Sequence, residues 1–197
     1  MNALHTMVEL RRVLAARPGQ ALPPKIEVAR PYAAVAAVLR DSAQGVQVLL
    51  IRRAEHPGDP WSGHMALPGG RREPSDATLM HTAMRETAEE LGLRLTADQV
   101  IGSLDDLEAV ARGRRVGMVI RPFVFHWEAP ELPELVPNRE VAEALWTPLL
   151  PIHRGDCDTT RPFEMDGVTY ALPGWDVRGR VVWGLTHRIL SDLLERM

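Results

Sequence analysis

Three glutamates, Glu86, Glu89 and Glu90, fall at three- and four-residue spacings in the run Arg85-Glu86-Thr87-Ala88-Glu89-Glu90-Leu91-Gly92, downstream of the tight turn Leu67-Pro68-Gly69-Gly70. Helical spacing puts these carboxylates on one face, where like charges cost about 0.2–0.5 kcal/mol per pair. Gly92 reads as a stop signal, so the acids also face the negative end of the helix dipole. A sequence that accepts both penalties points to a bound cation, and a hard divalent ion held through oxygen, such as Mg²⁺, is the natural candidate. The same residues have a plainer reading, a solvated acidic face with Arg85 as its ion-pair partner. The acids alone leave the two open; the glycine turn beside them favours the first.

The element that must carry the acids is a helix over residues 76–91, started by Pro74 with Ser75 or Asp76. At about 100° per residue, Ala77, Met80, Met84, Ala88 and Leu91 form an apolar arc opposite the three glutamates.

These residues resemble the signature of the Nudix hydrolase family, G-x5-E-x7-R-E-U-x-E-E-x-G-U, with U a bulky aliphatic. Gly70, Arg85-Glu86, Glu89-Glu90, Gly92 and Leu93 match it. Thr87 replaces an aliphatic, and the spacing from Gly70 to Arg85 is one residue longer than the common box, leaving Asp76 as the nearest acid to the first glutamate. That insertion also occurs in the subfamily resembling coenzyme A pyrophosphatases, whose G-x-x-A-F-P-G-G element is similar to Gly63-His-Met-Ala-Leu67-Pro-Gly-Gly70. Trp183-Gly-Leu-Thr186 and the helix after it are similar to that subfamily's tail. Leu49-Leu50-Ile51-Arg52-Arg53 keeps part of its basic pattern, and the next arginine is missing in Pro57-Gly58-Asp59-Pro60. The resemblance covers roughly residues 30 to 195.

Composition is that of an ordinary folded chain, with 197 residues, 45% hydrophobic and 25% charged. The net charge of −3 gives no basic field for nucleic acid. Lys25 is the only lysine; the arginine excess is read as codon bias rather than phosphate binding. Cys157 is alone, which excludes an internal disulfide or a cysteine metal site and fits a reducing cytoplasm. Its acidic setting, Arg154-Gly-Asp-Cys-Asp158, opposes thiolate formation. No apolar run reaches membrane-spanning length, and the N-terminus lacks the pattern of a secretory signal.

Along the chain, Val8–Ala16 reads as a short amphipathic helix, followed by a connector to Pro31 kept extended by Pro23-Pro24. Residues 1–30 are thus an N-terminal helix and connector, and 31–197 the Nudix-like domain. Strands are expected over Tyr32–Arg40 and Val46–Arg53, joined through Asp41–Gly45, and over Met65–Leu67, Gln99–Leu104, Val116–Trp127, Glu140–Trp146 and Val168–Leu172. A last helix over Val181–Met197 puts Val182, Leu185, Ile189 and Leu193 on one stripe. The mixed order suits a mixed sheet between helices, and the resemblance implies a Nudix-like α/β/α sandwich.

Phosphoanhydride hydrolysis needs phosphate charge neutralised, a positioned water, and a base. Glu86, Glu89 and Glu90 are the candidate ligands of Mg²⁺ or Mn²⁺, and the resemblance implies the Gly70 carbonyl as another. Glu86 or Glu89 is the candidate base; Glu140 and Glu143 are further candidates, read first as a solvated strand edge. Arg85 orients the glutamates or simply pairs with them. Arg52, Arg53, Arg71 and Arg72 bracket the turn and could meet phosphates; Arg112, Arg114 and Arg115 could hold an additional one. His56, His64, His81, His126, His153 and His187 lack metal-ligand spacing, with His64 kept because it adjoins the turn. Of Trp61, Trp127, Trp146, Trp175 and Trp183, Trp61 is the one expected to touch a base. The resemblance implies hydrolysis of a nucleoside diphosphate derivative, coenzyme A or its acyl forms first, then a nucleotide sugar, dinucleotide or triphosphate. A ligand sensor without catalysis is the alternative. The partner is a small nucleotide-type molecule rather than nucleic acid or membrane, and a homodimer is compatible with the sequence.

Overall fold

The computed structural model describes residues 7–22, 31–43, 45–59, 61–111 and 113–197. The expected Pro23-Pro24 connector and Arg112 lie outside them.

The spine is β1 (Tyr32–Arg40), whose alanine-rich sequence is buried on both faces, the pattern of a central strand. Ala34, Ala36 and Val38 face one core; Ala37 and Leu39 face the other. On one flank β1 runs parallel to β7 (Arg114–His126), over Tyr32↔Val119 to Leu39↔His126. On the other it changes partner. Its end pairs with β2 (Gln47–Arg53) at Leu39↔Val48, and its start with β4 (Gly69–Arg71) over Ala33↔Arg71 to Val35↔Gly69. β3 (Met65–Ala66) and β8 (Val141–Pro148) pair with β2, and β5 (Val100–Ser103) and β6 (Leu107–Ala111) with β7. The glycine pair therefore lies on a strand of its own, β4, which partners the start of β1 where β2 no longer does.

Helix α2 (Leu79–Leu91) covers one face, packing Ala83 and Leu91 against Ala34, Ala36 and Phe125. On the other face, α1 (Met7–Ala16) contributes Met7, Leu10 and Leu14, and α4 (Gly184–Arg196) contributes Ile189, Leu190, Leu193 and Leu194. The result is the expected α/β/α sandwich on a mixed sheet. Arg196, 4% exposed, ties the far layer together through Asp192, Asp105 and the Arg17 carbonyl.

The structure moves several expected boundaries. Helix α2 starts at Leu79, because Thr78 is the cap that accepts the His81 N–H; Asp76 is occupied elsewhere. Its buried residues are Thr82, Ala83, Thr87, Glu90 and Leu91; of the expected arc, Leu91 is buried and Met80 and Met84 pack partly buried against the same core, while Ala77 is exposed ahead of the helix. Thr87 fits an apolar position because its hydroxyl is satisfied by the Ala83 carbonyl at 2.7 Å. The last helix begins at Gly184, since Arg180–Trp183 forms β11, and Val182 belongs to that strand.

A second sheet was largely unforeseen. β9 (Asp158–Met165), β10 (Val168–Val177) and β11 form an antiparallel meander. Its two turns, Asp166-Gly167 and Arg178-Gly179, have positive φ at both central residues (52° and 77°, 54° and 77°), the two-residue geometry that matches strand twist. The short helix α3 (Leu149–His153) leads into it.

Candidate active site

The acidic end of α2 rests against β4 because the chain beyond the helix holds it there. Gly92 adopts the left-handed cap (φ 67°) and returns its N–H to Ala88. Val136 and Asn138 then donate backbone N–H groups to the Leu91 and Glu90 carbonyls at 2.8 and 2.9 Å. Glu90 is thereby turned inward, 4% exposed, and its carboxylate accepts the Gly69 N–H at 2.9 Å. Burial pushes its carboxyl up to about 7, against the lowering effect of the Gly69 bond and with Glu86 adding to the rise. Glu86 is half-buried, and burial raises its carboxyl too, opposed by Arg85. Glu89 is exposed. The three acids therefore do not share one solvent-facing arc: Glu90 faces β4, Glu86 the cavity and Glu89 the outside.

Glycine is required at Gly69 (φ 151°), where a Cβ would lie 2.3 Å from the Ala34 carbonyl oxygen. A Cβ on Gly70 would lie 2.5 Å from the Glu86 carboxylate and would displace that side chain from its place beside the strand.

Arg85 is pinned at the centre. Its Nε and Nη2 donate to the two oxygens of Asp76 at 3.0 Å each, Nη1 donates to Glu86 and Glu89 at 3.1 Å, and Nη2 reaches the Arg71 carbonyl. Asp76 also accepts the Glu73 N–H and the Thr82 hydroxyl at 2.9 Å each. Arg85, with these bonds, holds the Asp76 carboxyl well below the usual carboxylate range. The nearest acid to the missing signature glutamate thus anchors Arg85, and Arg85 itself makes the contact with Glu86 and Glu89 that both of its readings expected. Glu89, drawn to Arg85, does not close a cluster: among the described residues no three acids or histidines converge into a ready-made metal-holding group.

Glu86, Glu90, Gly69 and Gly70 open into a cavity of about 940 Å³ between the two sheets. The expected arginines divide. Arg53 and Arg71 line it; Arg53 gives Nη2 to Asp59 at 2.8 Å and keeps a buried Nε without a partner. Arg52 and Arg72 do not line it. Arg72 is turned to the Asp76 carbonyl at 3.1 Å. Arg114 and Arg115 are exposed outside the cavity, Arg115 paired with Glu108 at 3.0 Å. Glu140 lines the wall, whereas Glu143 is paired with Arg180. Trp61 and His64 line it; the Trp61 indole donates to the Val110 carbonyl at 3.2 Å. His64 meets Trp183 edge-on at 4.8 Å, and burial lowers its pKa, helped by Arg161. Burial and neighbouring aspartates raise the Cys157 thiol, as its acidic setting implied.

The wall sequence reasoning missed is Arg161, Phe163, Met165, Tyr170, Leu172 and Trp183, all from the second sheet. The Asp166-Gly167 dipeptide between alternating runs was the available signal.

The NUDIX domain model matches residues 30–161. An uncharacterized fission-yeast protein, C14C4.10c of Schizosaccharomyces pombe, is 39% identical over 184 residues, covering 74% of this chain and 55% of its own length. The chain thus spans little more than half of that relative. The uncharacterized Nudix hydrolase NudL of Yersinia enterocolitica is 30% identical over 155 residues, covering 76% of this chain and 73% of NudL. In fold, the chain is similar to a MutT/nudix family protein from Enterococcus faecalis, with a TM-score of 0.57 at 18% identity over 96% of this chain and 73% of that one. The acid-bearing helix end set on a glycine strand and the relatives that share this sequence agree: the chain belongs to the NUDIX domain family.

Proposed function

We propose that this protein hydrolyses the diphosphate link of a nucleoside diphosphate derivative, with coenzyme A or an acyl-coenzyme A as the preferred substrate, releasing phosphopantetheine (acylated or free) and adenosine 3′,5′-bisphosphate. The observation that carries the reading is the pair of inward carboxylates, Glu90 and Glu86, set against the Gly69–Gly70 strand at the floor of a large cavity. Burial raises both carboxyls, Glu86 raises Glu90 further, and Glu89 and Glu140 add to the rise of Glu86, while Arg85 reaches Glu86 but not Glu90; a divalent cation would relieve this setting.

The donor set is all oxygen and suits Mg²⁺ or Mn²⁺. Glu86, Glu90 and the Gly70 carbonyl would hold the ion, with Glu89 joining by releasing Arg85. When bound, such an ion neutralises phosphate oxygens and acidifies water. The chain supplies the rest. Glu86, half-buried with its carboxyl raised, is better suited than exposed Glu89 to take the proton of the attacking water at a carboxylate oxygen. The water oxygen bonds to phosphorus as the bond to the bridging oxygen breaks, and the second phosphate leaves with that oxygen. Arg53 and Arg71 meet phosphate oxygens, the free Nε of Arg53 being an unspent donor. The preference for coenzyme A is supported by the apolar stretch of wall formed by Val35, Ile120, Phe163, Met165 and Leu172, which suits a pantetheine or acyl arm, and by the Gly63–Gly70 element and lengthened box.

The test is a panel of coenzyme A, acetyl-coenzyme A, ADP-ribose, a diadenosine polyphosphate and ATP with Mg²⁺ or Mn²⁺, products separated by chromatography. Glu90→Gln keeps an oxygen for the Gly69 N–H, so folding is expected to survive while turnover falls at least about 100-fold. Near-normal turnover in this variant removes Glu90 from the site. Tight nucleotide binding with no product from the wild type favours a sensor instead.

A further inference from the structure

Strand β9 alternates with period two, and Thr159, Arg161, Phe163 and Met165 are its partly buried residues while Asp158, Thr160, Pro162 and Glu164 are exposed. A guanidinium therefore occupies the inward face of the second sheet, between apolar neighbours, on the cavity wall. Its carbon lies 4.7 Å above the Trp183 ring, and Trp183 is itself held by Phe163 at 5.9 Å and His64 at 4.8 Å. Arg161 forms no ion pair with any described residue, Glu164 included. Arg71 and Arg188 also line the cavity, but both are exposed, where water solvates them. Arg53, the remaining cation of the wall, has Asp59.

The Arg161 N–H groups have no hydrogen-bond partner among the described residues and are not sealed from the cavity, so they are free to take up an anion there. The contact with the indole restrains the long side chain, so less freedom is lost when it binds one. We propose that Arg161, stacked on Trp183, is a specificity-determining residue that binds a phosphate monoester carried by the substrate apart from its diphosphate. This rests on the diphosphate occupying the carboxylate end of the same cavity. It also replaces Arg114 and Arg115, which lie off the wall, as the reader of an additional phosphate.

The experiment compares kcat/KM for coenzyme A and 3′-dephospho-coenzyme A with Mg²⁺ in the full chain and its Arg161→Gln and Arg161→Lys variants. One charge-assisted contact accounts for about tenfold or more. The wild type is expected to favour the 3′-phosphorylated form by that factor, through KM rather than kcat. Arg161→Gln should bring the ratio within about twofold of unity, with Arg161→Lys between them. A wild type without preference, or an Arg161→Gln variant that keeps it, overturns the proposal. Calorimetry separates this from failure of the hydrolase reading. Even if no diphosphate is cleaved, adenosine 3′,5′-bisphosphate should bind about tenfold more tightly than 5′-AMP, and the difference should vanish in Arg161→Gln. Equal affinities, or binding of neither, overturn it independently.

Discussion

Glu90 is the most deeply buried of the three acids on α2. Its carboxyl, ordinarily near 4.5, is pushed up to about 7 in the fold, chiefly by burial. Between those values the folded chain keeps a proton that the unfolded chain has lost. Stability of the metal-free protein therefore falls as pH rises from about 4.5 to 7, and Glu90 leaves it lower above pH 7 by on the order of 3 kcal/mol. Glu90→Gln cannot titrate, so its denaturation midpoints should decline less across this window, and Mg²⁺ should stabilise the wild type more at pH 8 than at pH 6. Equal pH slopes for variant and wild type would exclude the effect. The importance of the trio was legible because its spacing defies helix electrostatics. What spacing could not reveal was that Glu90 turns inward, which depends on Val136 and Asn138 capping carbonyls from a distant loop.

At the scale of elements, the site is a helix end locked to a glycine strand, and the lock is Asp76. The sequence suggested it as a helix start or as the acid nearest the signature's first glutamate; it does not start the helix, which Thr78 caps. It is a buried receptor for the Arg85 fork, outside the helix that Thr78 caps. Breaking such a pair leaves a guanidinium without its main partner. Asp76→Asn is expected to cost about 3 kcal/mol by denaturant titration and to lower turnover by loosening Glu86 and Glu89. A loss below 0.5 kcal/mol would deny Asp76 this role. Boundaries set by local chemistry, such as Gly92 closing α2 and the 41–45 loop joining β1 to β2, were readable. The second sheet was not, because its strands are half-exposed and weakly apolar; only its tight turns announced it. The alanines of β1 obscured a central strand whose small side chains admit α2 closely.

For the whole molecule, two sheets divide the labour. The large sheet with α2 carries the carboxylates, and the three-stranded sheet, nearly all of it beyond the residues matched to the family, supplies the aromatic and cationic wall. Composition and motif were sufficient for the sandwich and for singling out the acid-bearing helix end. They were insufficient for the wall, whose residues lie up to about 100 positions from the helix they face across the cavity. The N-terminal helix belongs to the same body, since Leu10 and Leu14 are sealed in the core with α4. The most direct measurement of the central claim is anomalous diffraction from crystals soaked in Mn²⁺ with a non-hydrolysable diphosphate analogue. The account expects a manganese peak bonded to the carboxylates of Glu86 and Glu90 beside Gly70, with diphosphate oxygens on its other side. Glutamates turned into solvent, or manganese bound only elsewhere, would contradict it.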